Sequence, residues 1–368
     1  MKKVKLSSIA TVKAGGTPSR SNLSYWNGDI PWVKISDIQG KHVQTYEETI
    51  TEEGLKNSSA KLFSKGTILY TIFATLGRVG ILDFDATTNQ AIAGINILDE
   101  TIDCDYLYYF LRSQEKKVKA IGKGAAQQNI NLKILRNWLV PIRLKEEQTN
   151  IAGFLEKIEG AISAKTELLN SLDSLVKSRF IEMFTNVDKR KLSEMAEIIM
   201  GQSPDSKSYN ESGNGIPFFQ GKGDFGEKYT KIGHWTTSST KTAKLNDVLM
   251  SVRAPVGPVN IASTDCCIGR GLCAIRAENG LTNSEFLYNA LKVMEPEIAL
   301  MGNGSTFKAI NKKDVYSLLI PVASAQSQES FSKFASLIDK SRFVVQKEIK
   351  DLQELLDSKM DEYFGGEE

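Results

Sequence analysis

The side chains able to do nucleophilic, acid–base or metal chemistry are few in this 368-residue chain. Histidine occurs only at His42 and His234, and cysteine at Cys104, Cys266, Cys267 and Cys273. No two cysteines stand at CxxC spacing and neither histidine lies near a cysteine group, so a structural zinc site is not expected. Two histidines outside any triad spacing also argue against histidine-based acid–base catalysis. Vicinal Cys266 and Cys267 read more simply as buried small hydrophobes than as a redox pair. The run Gly221-Lys222-Gly223-Asp224-Phe225-Gly226 matches G-x-G-x-x-G after the apolar Ile216–Phe219, but the residues after it do not open a helix toward a phosphate. There is no G-x-x-x-x-G-K-S/T loop. Nor is there an Asn/Asp-Pro-Pro-Tyr sequence of the kind that holds a flipped base in amino-methyltransferases. Pro204-Asp205 is followed by no nuclease-like Glu-x-Lys. The inventory predicts a chain with no catalytic residues, no metal and no cofactor of its own.

Lys and Arg number 46 against 44 Asp and Glu, a net charge of +2. That balance excludes a polybasic tail protein but not a local basic patch. An apolar fraction of 41% and a charged fraction of 24% are those of a soluble globular protein. No apolar run follows Met1-Lys2-Lys3 and none reaches ~18 residues. The expectation is a cytoplasmic, reduced protein with no membrane partner.

The elements that must position any functional side chain come in two copies. Lys5-Leu6-Ser7-Ser8-Ile9-Ala10 returns as Lys191-Leu192-Ser193-Glu194-Met195-Ala196, and Gly15 and Pro18 return as Gly201 and Pro204. From Leu69/Leu249 and Gly77/Gly257 the offset settles at 180 residues. It then holds through Ile130-Asn131/Ile310-Asn311, Pro141/Pro321, Gln148/Gln328 and Phe184/Phe364. Such a register over the whole chain marks an internal duplication.

Each copy opens with short β-branched runs bounded by glycine, such as Gly66–Phe73 and Asp247–Val252, which read as strands. A helix is expected at Cys104–Lys119, so each copy is an α+β globule. After Pro141 or Pro321 each copy reads as one long helix. Apolar residues recur at Leu155, Ile158, Ile162, Leu169, Leu172, Val176 and Met183, then at Ala335, Ile338, Val345, Ile349, Leu352, Leu356 and Tyr363. This 3–4 spacing over about four heptads is a coiled-coil seam some ~50 Å long. Neither stripe can be buried alone, so the two are expected to pair, with Leu155–Val176 and Ile338–Leu356 at the interface. The alternative is that each helix folds back on its own globule. The domain boundaries expected are 1–145 and 189–325 for the globules, with helical spacers at 146–188 and 326–368.

With these features in place, the chain resembles the specificity subunit of type I restriction–modification systems. The resemblance rests on the duplicated globule-plus-helix plan and on Tyr25–Ile38, with its Trp26-Asn27-Gly28-Asp29-Ile30-Pro31-Trp32 core. It rests also on Gln127-Gln128-Asn129-Ile130-Asn131 and on Pro141 followed by Glu147-Gln148. The second copy departs from it with Phe307-Lys308-Ala309 and Ser327-Gln328. What the resemblance implies is a non-catalytic reader of double-stranded DNA. Each globule would be a target recognition domain for half of a bipartite, asymmetric site. The helices would form an antiparallel coiled coil that sets the spacer and docks two methyltransferase subunits. Restriction subunits would join the assembly, and S-adenosylmethionine, ATP and Mg²⁺ would act on those partners.

DNA reading needs donors for phosphates and paired donor–acceptor edges for bases. Candidates lie in matching loops: Lys34 and Ser36 in the first globule, Gln220 and Lys222 in the second. Arg78 and Arg253 are expected at corresponding strand ends, and Gln90 and Arg270 in a second pair of turns. Gln127, Gln128 and Asn129 are matched by Thr306 and Lys308. Any one of these alone is more simply a solvated loop residue; the set carries the reading. Two other readings stand beside it: a coiled-coil scaffold for protein partners that does not touch DNA, and the specificity part of a related type II (IIB/IIG-like) system.

Overall fold

Glycine-bounded β-branched runs pair into small sheets in each repeat, and the proline-free stretches form two helices of 40 residues. The computed structural model describes residues 2–115, 118, 130–302 and 309–365. Four helices matter here: α1 (Cys104–Ser113), α2 (Lys145–Phe184), α3 (Ser284–Met301) and α4 (Ala325–Phe364). At 1.5 Å per residue, α2 and α4 are each about 60 Å long. The chain divides into two compact units, Met1–Thr166 with Lys347–Glu368, and Glu167–Gln346. Each unit therefore holds one globule, a segment of α2 and a segment of α4.

In the first unit a sheet runs in the order Ala10–Ala14, Ile92–Ile97, Ile68–Thr71, Val79–Leu82 and His42–Val43. The strand Ile68–Thr71 is buried throughout. Ile68 and Tyr70 point into the core shared with α1, while Leu69 enters a second core with Val33, Ile38 and Phe63. That period of two is the pleat acting on a sheet covered on both faces. A smaller sheet, Glu48–Ile50, Trp26–Val33 and Thr87–Thr88, covers the second face. Trp26 and Trp32 are buried there, and their indole N–H groups donate to the Ser19 and Gly16 carbonyls at 3.1 and 3.0 Å.

The second unit repeats this frame with Ala196–Met200, Leu272–Ala277, Val248–Ser251 and Val259–Ile261. Val248 and Met250 face the α3 core, and Leu249 faces the other. Local details recur at the same offset. Asp103 caps α1 by accepting from the Tyr106 N–H at 2.9 Å, and Asn283 caps α3 by accepting from Phe286 at 2.9 Å. Gln148 is fully buried and donates to the Thr101 and Arg143 carbonyls, each at 3.0 Å. Gln328, also buried, donates to the equivalent Leu281 and Ala323 carbonyls, each at 2.9 Å. Gly77 and Gly257 take φ of +86° and +107°, where a side chain would be strained.

Within the first unit, Leu155 and Ile158 of α2 share a core with Leu356, Met360 and Phe364 of α4 and with Tyr106 and Phe110 of α1. Arg143, just before α2, donates to the Tyr363 carbonyl, and Lys165 pairs with Glu348 at 2.7 Å. Early residues of one helix thus meet late residues of the other, so the two segments run antiparallel. In the second unit Asp173 pairs with Arg342 at 2.7 Å, and Phe180 lies 5.2 Å from Phe331 between ring centres. That pairing is antiparallel too. Among the remaining seam residues Ile338 and Val345 are buried, and Ile162, Leu169, Leu172, Val176, Ile349 and Leu352 are half-buried.

Two departures from the sequence reading have physical reasons. Helix α1 is interrupted after Ser113, where the Gln114 N–H donates back to the Leu111 carbonyl; Glu115 and Val118 are helical again, and residues 116, 117 and 119 of the expected helix lie outside the described residues. More importantly, the helices do not choose between partner helix and globule. Phe364, at the end of α4, packs 5.1 Å from Tyr106 of the first globule, and Phe184, at the end of α2, packs 5.0 Å from Phe286 of the second. A half-buried lysine reinforces each docking. Lys41 pairs with Asp105 of α1 at 3.1 Å and Glu156 of α2 at 2.6 Å; Lys228 pairs with Glu285 of α3 at 2.8 Å and with Asp339 of α4. Among the described residues no helix is long and apolar enough to cross a membrane.

Candidate nucleic-acid interface

In the second unit four strands deliver loops to one place. Gly201 follows the strand Ala196–Met200, Gln220 follows Ile216–Phe219, Arg253 follows Val248–Ser251, and Arg270 follows Cys266–Ile268. These loops line a concavity of about 750 Å³ that includes Gln220, Lys222, Arg253 and Arg270 together. All four side chains are exposed. Among the described residues no carboxylate lines the concavity. Among the described residues, the side chains of Lys222, Arg253 and Arg270 have no hydrogen-bond or ion-pair partner.

The loops beneath these side chains are held by backbone. A Cβ on Gly201 would lie 2.1 Å from the Gly269 carbonyl, and one on Gly271 would lie 2.3 Å from the Gln220 carbonyl, so the loops touch main chain to main chain. The Arg270 N–H donates to Ser203 Oγ at 3.2 Å, and Val252 N–H to the Gly271 carbonyl at 2.9 Å. Asp224 accepts from the Gln220 and Gly221 N–H groups at 2.6 and 3.2 Å. That carboxylate occupies amides that a dinucleotide phosphate would use. The described chain resumes after residue 308 at Ala309, bridged to Arg253.

The first unit arranges its candidates differently. Lys34 is held at 2.6 Å from Glu47 and 2.9 Å from Glu48, and the bonds to Glu47 and Glu48 push its ammonium well above the ordinary lysine range. Arg20 binds Glu48 at 2.5 Å, pulling that carboxyl below its usual range, and its guanidinium stacks 3.6 Å from the Trp26 ring centre. Ser36 is exposed with its hydroxyl 3.4 Å from Asp37. Gln90 is exposed, and its amide oxygen accepts from the Thr17 hydroxyl at 2.5 Å.

Arg78 corrects the sequence reading. It does not match Arg253: it precedes the strand Val79–Leu82, whereas Arg253 follows its strand. Its guanidinium donates to the Ile35 and Ile38 carbonyls at 3.1 and 3.2 Å, and it lines a separate hollow with Lys41, Arg112 and Glu159. The residue at the Arg253 position is Phe73, 51% exposed, which sequence reasoning passed over. The 180-residue offset was the signal that could have found it. Gln127, Gln128, Asn129, Thr306 and Lys308 lie outside the described residues.

The thiols are not candidates for reaction. Cys266 and Cys273 are buried, which pushes each thiol up to about 12. Cys104 is pushed to about 11 by the same cause.

Comparison with known proteins places this geometry. The family model for the type I restriction modification DNA specificity domain matches twice, over residues 1–174 and 185–354. A putative type I restriction enzyme MjaX specificity subunit from Methanocaldococcus jannaschii is 33% identical over 76% of this chain and 72% of its own length. The EcoR124I/EcoR124II specificity subunit of Escherichia coli is 30% identical over 44% of this chain and 42% of its own. A solved structure described as underlying complex assembly and conformational transition of the type I R-M system superposes with a TM-score of 0.69 at 26% identity. It covers 99% of this chain and 97% of its own. The duplicated globule, the paired helix segments and these likenesses lead to one conclusion: the chain belongs to the type I restriction–modification DNA specificity family, as a specificity subunit that targets rather than catalyses.

Proposed function

We propose that each globule of this chain reads one half of a bipartite, asymmetric site on double-stranded DNA. The observation that carries this is the concavity of the second unit, where three cations and Gln220 converge with no acid among the described residues that line it. Side chains free of intramolecular partners can bind phosphates and base edges without first breaking an ion pair. The helices α2 and α4, pairing as an antiparallel coiled coil, hold the readers apart and set the unread spacer. Antiparallel contacts in each unit and the burial of seam residues support that part.

Two methyltransferase subunits dock on the helices, and restriction subunits complete the assembly in the cytoplasm. Large apolar residues left exposed on α4, Leu337 at 62%, Phe343 at 70% and Val344 at 55%, support a docking face there. S-adenosylmethionine, ATP and Mg²⁺ belong to those partners. The test is methylation mapping of genomic DNA from a host carrying this chain with its methyltransferase. A bipartite motif with a fixed spacer is expected, with binding that weakens steeply as salt rises. Methylation without a bipartite motif would contradict the proposal.

A further inference from the structure

The two units share a backbone frame, yet they present different chemistry at the same strand ends. Arg253 and Arg270 of the second unit correspond, at the 180-residue offset, to Phe73 and Gln90 of the first. Both arginines are exposed, line the same concavity and lack side-chain partners among the described residues. Their backbones are fixed. The Arg270 turn is pressed against Gln220 by the glycines at 269 and 271. Arg253 is held between the Ser251 hydroxyl, which donates to its carbonyl at 3.0 Å, and the bridge to Ala309. Fixed main chain with a free guanidinium is the arrangement that suits base reading, because only the side chain has to be ordered on binding.

Arginine's planar fork matches the O6 and N7 acceptors that guanine alone presents side by side in the major groove. A phosphate contact asks less: any cation, lysine included, serves it. Lys222 in the same concavity is suited to that task. In the first unit the nearby cations Lys34 and Arg20 are held by Glu47 and Glu48 and Gln90 accepts from the Thr17 hydroxyl, while Phe73 stands exposed at the position of Arg253.

We infer that Arg253 and Arg270 each read a guanine, so that the half-site of the second globule is specified by two G·C pairs through this concavity. The inference rests on the proposed DNA-reading function and adds to it the bases read and the residues that read them.

The experiment uses the complex of this chain with its methyltransferase subunits. Methylation motifs are mapped for the wild type and for Arg253→Gln, Arg270→Gln and Arg270→Lys, and competition binding to duplexes substituted at single base pairs is measured beside them. The wild type should discriminate against a replaced guanine by about 5- to 150-fold at each of two positions in one half-site. Each substitution should reduce that preference to near unity at one position. The lysine variant should lose it too, because it keeps the charge but not the fork. The other half-site should stay intact, which also reports that the variant is folded and assembled.

Two results would overturn the inference while leaving the proposed function standing. One is a second half-site without guanine contacts at two positions. The other is variants that weaken binding equally on every sequence and keep the motif, as phosphate contacts would. A wild-type complex with no bipartite motif would overturn the proposed function and this inference with it.

Discussion

The strand ends of the second globule gather unpaired cations, whereas the same strand ends of the first hold their cations in ion pairs. Lys34 and Arg20 are engaged by Glu47 and Glu48; Lys222, Arg253 and Arg270 meet no carboxylate among the described residues. The frame beneath them is shared, down to the buried Gln148 and Gln328 and their equivalent carbonyl partners. The contrast separates two kinds of constraint. Positions that bind backbone or fill the core are kept between copies, because each copy must solve the same packing problem. Positions at the strand ends differ, because nothing inside the fold depends on them.

The hardest way to break this comparison is to remove the aromatic that docks each long helix. Phe184 and Phe364 are 3% and 5% exposed and pack in the cores of the second and first unit respectively. Phe184→Ala and Phe364→Ala should each destabilise the unit it enters by about 3–5 kcal/mol. Urea unfolding read by tryptophan fluorescence checks this, since Trp26, Trp32 and Trp138 lie in one unit and Trp235 in the other. A large loss from one substitution and none from the other would mean that the units are not the same frame.

A smaller effect is expected at the half-buried lysines, Lys228 and Lys41. Burial pulls the Lys228 ammonium down, but Glu285 and Asp339 outweigh it and the group ends above its ordinary value. A raised lysine stabilises the fold fully below the unfolded value of about 10.4 and loses that contribution as pH rises through the folded value. Lys228→Met should therefore cost about 1–3 kcal/mol at neutral pH, with the gap to wild type closing only above pH ~10.5. Unfolding curves between pH 7 and 11.5 test the sign. Lys41, between Asp105 and Glu156 and raised for the same net reason, should behave alike.

The smallest effect on stability sharpens the comparison most. Glu47→Gln with Glu48→Gln should change stability by no more than ~1 kcal/mol, because Glu47 is exposed and Lys34 and Glu48 are still reached by solvent. It should nevertheless free Lys34 and Arg20 and make DNA binding by the complex tighter and more salt-dependent. A salt titration of binding decides: an unchanged slope would mean that these ion pairs do not mask the surface.

Much of this was legible from sequence wherever a residue type answers a local demand. Glycine at 77 and 257 marks positive φ, Asn131 and Asn311 mark helix starts, and proline-free heptads mark α2 and α4. The convergence of Gln220, Lys222, Arg253 and Arg270 could be anticipated because all four follow strand-like runs. What could not be read was set by long-range register. The pairing of Trp32 with Glu48 carries Glu47 and Glu48 to Lys34, and no local pattern announces it. Arg78 looked like a reader because it was expected at a strand end matching that of Arg253, but the distant Ile35 and Ile38 carbonyls claim it. The docking of Phe184 and Phe364 was hidden for the same reason: both residues lie at the ends of the stripe, and their partners are on globules far along the chain.

The central claim is that two separable readers act through one duplicated frame. Its most direct test is to exchange residues 1–145 for the matching globule of a related specificity subunit and to map the methylation motif of the assembled complex. The account predicts that one half-site changes, while the other half-site and the spacer stay as they were. A motif in which both half-sites change, or neither does, would contradict it.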